Sequence, residues 1–136
     1  MTDLTKYNGE KCILDHIELH IEDKDKVGIL GVNGTGKSTL LKIIAGVEDY
    51  QGKMSYQKDI RINYLPQTPL YDENDDIMET VHKQLDSKEI HDYEIKAQLG
   101  KFGILDETQK IKELSGGQLK RVALAIALIK PCDLLI

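Results

Sequence analysis

Near the amino terminus apolar and polar residues alternate, and the spacing predicts strands over Asp3 to Asn8 and Lys11 to Ile13 around an Asn8-Gly9 turn. Alternation at Ile17, Leu19 and Ile21 predicts a half-buried strand with His16 and His20 on its polar face. Asp23-Lys24-Asp25 reads as a turn before an apolar strand, Val27-Gly28-Ile29-Leu30. Lys37 to Ala45 has helical spacing, and Gly46 stands where helix ends favour glycine. Gly52 to Tyr56 and Ile60 to Leu65 read as strands, the second stopped by Pro66. Beyond Pro69 the period becomes helical: Ile77 to Leu85, Lys88 to Phe102 before Gly103, and Ser115 to Ile129 before Pro131. Leu134-Leu135-Ile136 predicts the start of a buried strand. Strands thus flank one glycine-led helix, a helical insertion follows, and the chain returns to the sheet. That order is α/β.

Composition narrows the class. With 136 residues the chain is long enough for one domain, and 40% hydrophobic with 30% charged content reads as soluble and globular. The longest apolar run, Val122 to Ile129, is far short of the roughly 20 residues a bilayer span needs. No basic segment followed by an apolar core opens the chain, so the expected location is cytoplasmic, with no intrinsic membrane segment. A net charge of −5 argues against a polycation that coats nucleic acid, and the excess gathers at Asp72, Glu73, Asp75, Asp76 and Glu79, as a solvated loop and helix start. Cys12 and Cys132 form no CxxC pair and read as structural thiols in a reducing compartment. His82 and His91 fall in polar helical stretches, and none of the four histidines has metal-ligand spacing.

The chemistry begins at Gly31-Val32-Asn33-Gly34-Thr35-Gly36-Lys37-Ser38. A glycine-rich turn between a strand and a helix aims backbone N–H groups inward, and the helix N-terminus adds positive potential. Gly31, Gly34 and Gly36 let the backbone wrap anionic oxygens where a Cβ would intrude. Lys37 can reach the β- and γ-phosphates of a nucleotide, the Ser38 hydroxyl is placed to ligate Mg²⁺, and Thr39 can contact a phosphate from the next helical position. The predicted strand before and helix after supply the context this loop requires. Dinucleotide binding is disfavoured, because GxGxxG spacing is absent.

A second pattern stands at Leu114-Ser115-Gly116-Gly117-Gln118. Ser115 and Gln118 satisfy S-x-x-Q, a helix capping box. The box does not account for two adjacent glycines in the first turn, each costing roughly 0.8–1 kcal/mol against alanine in a helix interior. Exposed amides at a positive helix end would offset that cost if they face an anion.

With these two motifs in this order, the chain resembles the ATP-binding-cassette (ABC) ATPases, whose LSGGQ signature is present unchanged. The resemblance covers essentially the whole chain. It implies an α/β P-loop NTPase core, a mixed sheet around the phosphate-loop helix, with a helical subdomain. It implies ATP and Mg²⁺ as cofactors, held through Gly31, Asn33, Gly34, Thr35, Gly36, Lys37, Ser38 and Thr39. Ser115 and Gly117 would address the γ-phosphate of ATP on a second cassette, in cis or in trans. Tyr7 sits where the family stacks an aromatic on adenine, although packing against the sheet would also explain it. Gln67, in Tyr64-Leu65-Pro66-Gln67, matches the Q-loop glutamine, which contacts Mg²⁺ and the attacking water; with Lys37 it is a candidate catalytic residue, and with Ser38 a candidate metal ligand. Lys120 and Arg121 suit the family but equally a solvated helix face.

Within the family, the wording from Gly31 to Gly46 and at Tyr64 to Gln67 is similar to the first cassette of the soluble ABC-F branch, which acts on ribosomes. Thr68 to Glu113 is too short for that branch's two-helix arm plus the ordinary helical subdomain, so a transporter cassette, with a transmembrane subunit as partner, and short-armed relatives of the branch stay open. The expected division is 1–69 nucleotide-binding core, 70–129 helical subdomain with the signature, and 130–136 the start of the Walker B strand. In the family the metal-binding aspartate and catalytic glutamate come just beyond that strand; Asp133 is too early to stand for either. The expectation is a C-terminally incomplete cassette, an ATPase by family that lacks its general base in this piece.

Overall fold

A computed structural model describes residues 1–85 and 90–136. The chain forms two compact units, one of Met1–Ile60 with Ile136, the other of Arg61–Leu135.

The first unit is built on β1 (Thr2–Asn8), β2 (Lys11–Ile17), α1 (Lys37–Ile44) and β3 (Gln51–Lys53). Its three strands form one antiparallel sheet in the order β2-β1-β3. The hairpin turns at Gly9, whose φ of 60° lies in the region glycine favours, and pairs Tyr7 with Cys12 and Leu4 with Ile17. β3 comes so close to β1 that a Cβ on Gly52 would lie 2.2 Å from the Asp3 carbonyl oxygen, which makes glycine obligatory there. Leu4, Leu14, Leu40, Ile43 and Ile44 are the unit's buried apolar residues. α1 ends at Ala45, with Gly46 at φ 74°, and the Tyr56 hydroxyl donates to the Ile44 carbonyl at 2.8 Å, satisfying an orphan acceptor at the helix end.

The second unit carries β4 (Ile62–Asn63), α2 (Ile77–Leu85), α3 (Asp92–Lys101), a 3₁₀ turn (Ile111–Glu113), α4 (Gly116–Ile129) and β5 (Leu134–Leu135). Ile77, Val81 and Leu85 of α2 recur every fourth residue. They join Ile95 and Leu99 of α3, Ile111, and Val122, Ala125 and Ile126 of α4 in one buried cluster. Asp76 and Glu79 cap the start of α2 reciprocally, amide to carboxylate, at 2.9 and 2.8 Å. β4 and β5 pair in parallel, Ile62 with Leu134 and Asn63 with Leu135.

Several expected strands differ. β2 runs unbroken through Ile17, so the strand expected from Ile17 to Ile21 does not form and His20 lies outside the sheet. Val27 to Leu30 adopts no strand, and Leu30 is 95% exposed. An apolar run specifies a preference for burial but not a ladder partner, and among the described residues this one has none. β3 and β4 are shorter than expected, and β5 is half-buried to exposed. The helices fared better. α2 has its expected bounds, and α4 begins one residue after its cap Ser115. The start expected for α3, at Lys88, lies outside the described residues. Among the described residues no helix is long and apolar enough to cross a membrane.

Candidate nucleotide-binding elements

In the first unit the loop from Gly31 to Gly36 turns into α1 through two left-handed glycines, Gly34 at φ 84° and Gly36 at φ 88°. The two positions differ in what surrounds them. A Cβ on Gly34 would meet nothing within 4 Å, whereas one on Gly36 would lie 2.9 Å from Ile13 Cγ2 and 3.1 Å from the Ile13 carbonyl. Gly36 is thus required by β2 packing as well as by φ. The Thr35 hydroxyl donates to the Val32 carbonyl at 2.9 Å, and the Lys37 ammonium donates to the Gly31 and Val32 carbonyls at 2.8 and 2.7 Å. Lys37 therefore curls back over the loop it follows.

α1 opens with no side-chain cap and no acidic residue in its first turn. Its positive end is left to the amides of Lys37, Ser38 and Thr39, an arrangement that suits an anion. Asn33 and Ser38 are exposed and Thr39 is half-buried. Tyr7, at the end of β1, is 48% exposed, so its ring is not consumed by sheet packing. A polyphosphate fits this donor set. The Ser38 hydroxyl in the first unit and the Gln67 amide in the second are each exposed oxygen donors, and among the described residues no cluster of His, Cys, Asp or Glu could cage a metal. Such oxygen donors suit an ion shared with phosphates rather than one held by protein alone.

In the second unit, Ser115 accepts from the Gln118 amide at 3.2 Å and its own amide donates to Gln118 Oε1 at 2.9 Å. Gly116 and Gly117 are exposed, neither has a positive φ, and a Cβ on either would meet nothing within 4 Å. Among the described residues, neither crowding nor backbone conformation requires glycine at these two positions. The segment before the signature is strapped to the start of α2: Ile111 N–H donates to the Asp75 carbonyl at 3.0 Å, and Lys112 N–H to the Glu73 carbonyl at 3.2 Å. Asp75 is itself gripped by Lys83, at 2.7 and 2.6 Å, so part of the acidic run is structural.

Gln67 leaves the sheet just after β4, and β4 is held by contacts the sequence did not reveal. Arg61 donates through Nε and Nη2 to Asp133 at 3.0 and 2.9 Å, and its amide donates to Asp133 Oδ2 at 2.9 Å. Arg61 holds the Asp133 carboxyl down at about 2. Asn63 Nδ2 donates to the Ala127 carbonyl in the last turn of α4 at 2.7 Å. Seventy-two positions separate Arg61 from Asp133, and no local spacing announces such a pair.

A phosphate loop in the first unit and the glycine-led α4 in the second are the elements of a nucleotide-binding cassette of P-loop type. The ABC transporter family matches residues 14–136, and the chain belongs to it. Over 98% of its length it superposes on 71% of an ABC transporter ATP-binding protein from Pyrococcus furiosus, with a TM-score of 0.87 and 27% identity. It is 33% identical to the energy-dependent translational throttle protein EttA of Escherichia coli K12, across 93% of this chain and 30% of that protein. It is 35% identical to the zinc import ATP-binding protein ZnuC of Alkalilimnicola ehrlichii, across 97% of this chain and 51% of that protein. The chain thus spans about half or less of the length of these two curated relatives. Among ABC ATPase domains it resembles those of the ABC-F branch.

Proposed function

We propose that the chain is the nucleotide-holding part of an ABC ATPase that closes on a second cassette around Mg-ATP. Gly31, Asn33, Gly34, Thr35, Gly36, Lys37, Ser38 and Thr39 bind the phosphates, with Tyr7 against the base. Binding draws the Lys37 ammonium from the Gly31 and Val32 carbonyls to the β- and γ-phosphates. Ser38 and Gln67 are the proposed Mg²⁺ ligands, and the ion would supply charge neutralisation on the terminal phosphates. Ser115 and Gly117 address the γ-phosphate carried by the partner cassette. The observation that carries the reading is the pair Gly116 and Gly117 in the first turn of α4, where among the described residues neither crowding of a Cβ nor a positive φ calls for glycine. An anion brought by a partner gives them a reason.

The dimerised cassette uses ATP hydrolysis to drive a conformational cycle, and the branch we favour is ABC-F, with a ribosome-linked task in the cytoplasm. The likeness to a translational throttle protein supports it. A transporter subunit is the second reading, favoured by one observation. The alignment with EttA extends over 168 residues although this chain has 136, so EttA carries residues without counterpart here, whereas the alignment with ZnuC extends over 137.

Calorimetric titration with Mg-ATP tests the core of the reading: Lys37→Ala should bind at least about tenfold more weakly, the loss of one strong charge-assisted contact. Equal affinities would reject it. The 136-residue chain by itself should show no hydrolysis above background, because among the described residues we assign no carboxylate as general base; Lys37-dependent turnover would contradict that. Co-sedimentation of the gene's whole product with ribosomes or with membranes separates the two branches.

A further inference from the structure

The parallel ladder between β4 and β5 is only two residue pairs long. A ladder that short cannot fix its own register, and a slip of one residue would turn every side chain of β4 to the opposite face. Register is held from outside the ladder. Arg61, one position before β4, clasps Asp133, one position before β5, through Nε, Nη2 and its backbone amide. The Asp133 and Leu134 amides both return to the Arg61 carbonyl, at 2.8 and 3.1 Å. On the far side Asn63 reaches the Ala127 carbonyl of α4 at 2.7 Å. Four residues beyond Asn63 is Gln67, exposed, with Pro66 before it and the buried Pro69 after it stiffening the path.

We infer that Arg61, Asp133 and Asn63 are positioning residues for Gln67, fixing where the Q-loop leaves the sheet against β5 and the carboxyl end of α4. The inference rests on the proposed role of Gln67 at Mg²⁺. The Arg61 and Asp133 side chains are 61% and 47% exposed, and exposed ion pairs add little to global stability. What the clasp supplies is geometry. Lysine at 61 keeps the charge but loses the planar fork, so it isolates that geometry.

The variants Arg61→Lys, Asp133→Asn and Gln67→Ala are compared with the unaltered chain. Each is titrated with adenylyl imidodiphosphate in Mg²⁺ and again in EDTA. Arg61→Lys and Asp133→Asn should each lose about tenfold of the metal-dependent gain in affinity, as groups behind a metal ligand do. Gln67→Ala should lose a similar amount with its thermal midpoint unaltered, while affinities in EDTA stay at the unaltered values in all three variants. Full retention of the metal-dependent gain in Arg61→Lys, or equal losses in Mg²⁺ and EDTA, would overturn the inference. If Gln67→Ala keeps the gain, the fault lies with the assigned role of Gln67, and amide hydrogen exchange decides positioning by itself. Faster exchange at Asn63 to Leu65 in Arg61→Lys, with α2 and α3 unchanged, supports the clasp; unchanged exchange at those amides overturns it.

Discussion

Ser115 and Gln118 cap one another across the first turn of α4, the Gln118 amide donating to Ser115 Oγ at 3.2 Å and the Ser115 amide to Gln118 Oε1 at 2.9 Å. The serine thus has a structural task in this chain before any ligand is considered, and substitutions must separate that task from a phosphate contact. Ser115→Ala should lower stability by about 1 kcal/mol, the usual cost of a lost N-cap. Ser115→Asp should restore it, because aspartate caps as well as serine, yet place a negative charge where the γ-phosphate is proposed to sit. Urea unfolding and ATP-driven association read the two effects. Association that survives in Ser115→Asp would remove this residue from the phosphate site.

Gly116 and Gly117 give the converse experiment. Alanine at either position has open space and an allowed backbone. Each substitution should stabilise α4 by up to about 1 kcal/mol, raising the thermal midpoint. ATP-driven association should fall at the same time. A gain in stability with association intact would leave the glycines without the partner-facing role proposed for them.

Gly34 and Gly36 have nearly the same φ but different neighbours. Gly34→Ala should cost about 1 kcal/mol, the left-handed penalty alone. Gly36→Ala should cost more, since its Cβ would also press on the Ile13 side chain and carbonyl. Chemical denaturation of both variants, with no nucleotide present, measures the difference. Equal losses would mean that β2 yields without cost.

The Asp133 carboxyl titrates at about 2 in the folded chain against an ordinary 3.8, because Arg61 donates to its charged form. A depressed folded value means stabilisation present above 3.8 and lost as pH falls toward 2. His16 runs the other way. Asp3 raises it from 6.5, so its contribution is complete below that value and fades as pH rises through the raised one. Stability profiles of Asp133→Asn and His16→Gln against the unaltered chain should converge with it at the acid end and the alkaline end respectively. Differences that are flat with pH would show that neither contact matters to folding.

The chain itself fixed the helices and the character of both motifs, because these depend on neighbours within a turn or two. The period of Ile77, Val81 and Leu85, the box at Ser115 and Gln118, and the glycines around Lys37 each carry their own local signal. Strand pairing does not. Val27 to Leu30 has a strand's composition but no partner among the described residues. Residues as unlike as Gly52 and Asp3 meet because a glycine admits another backbone. Asp133 shows the same division. Its place in the sequence said only that it stands too early, one position before β5, for a metal carboxylate. Folding brought Arg61 to it from 72 residues away, and ladder and ion-pair contacts of that separation leave no periodic trace for a sequence to show.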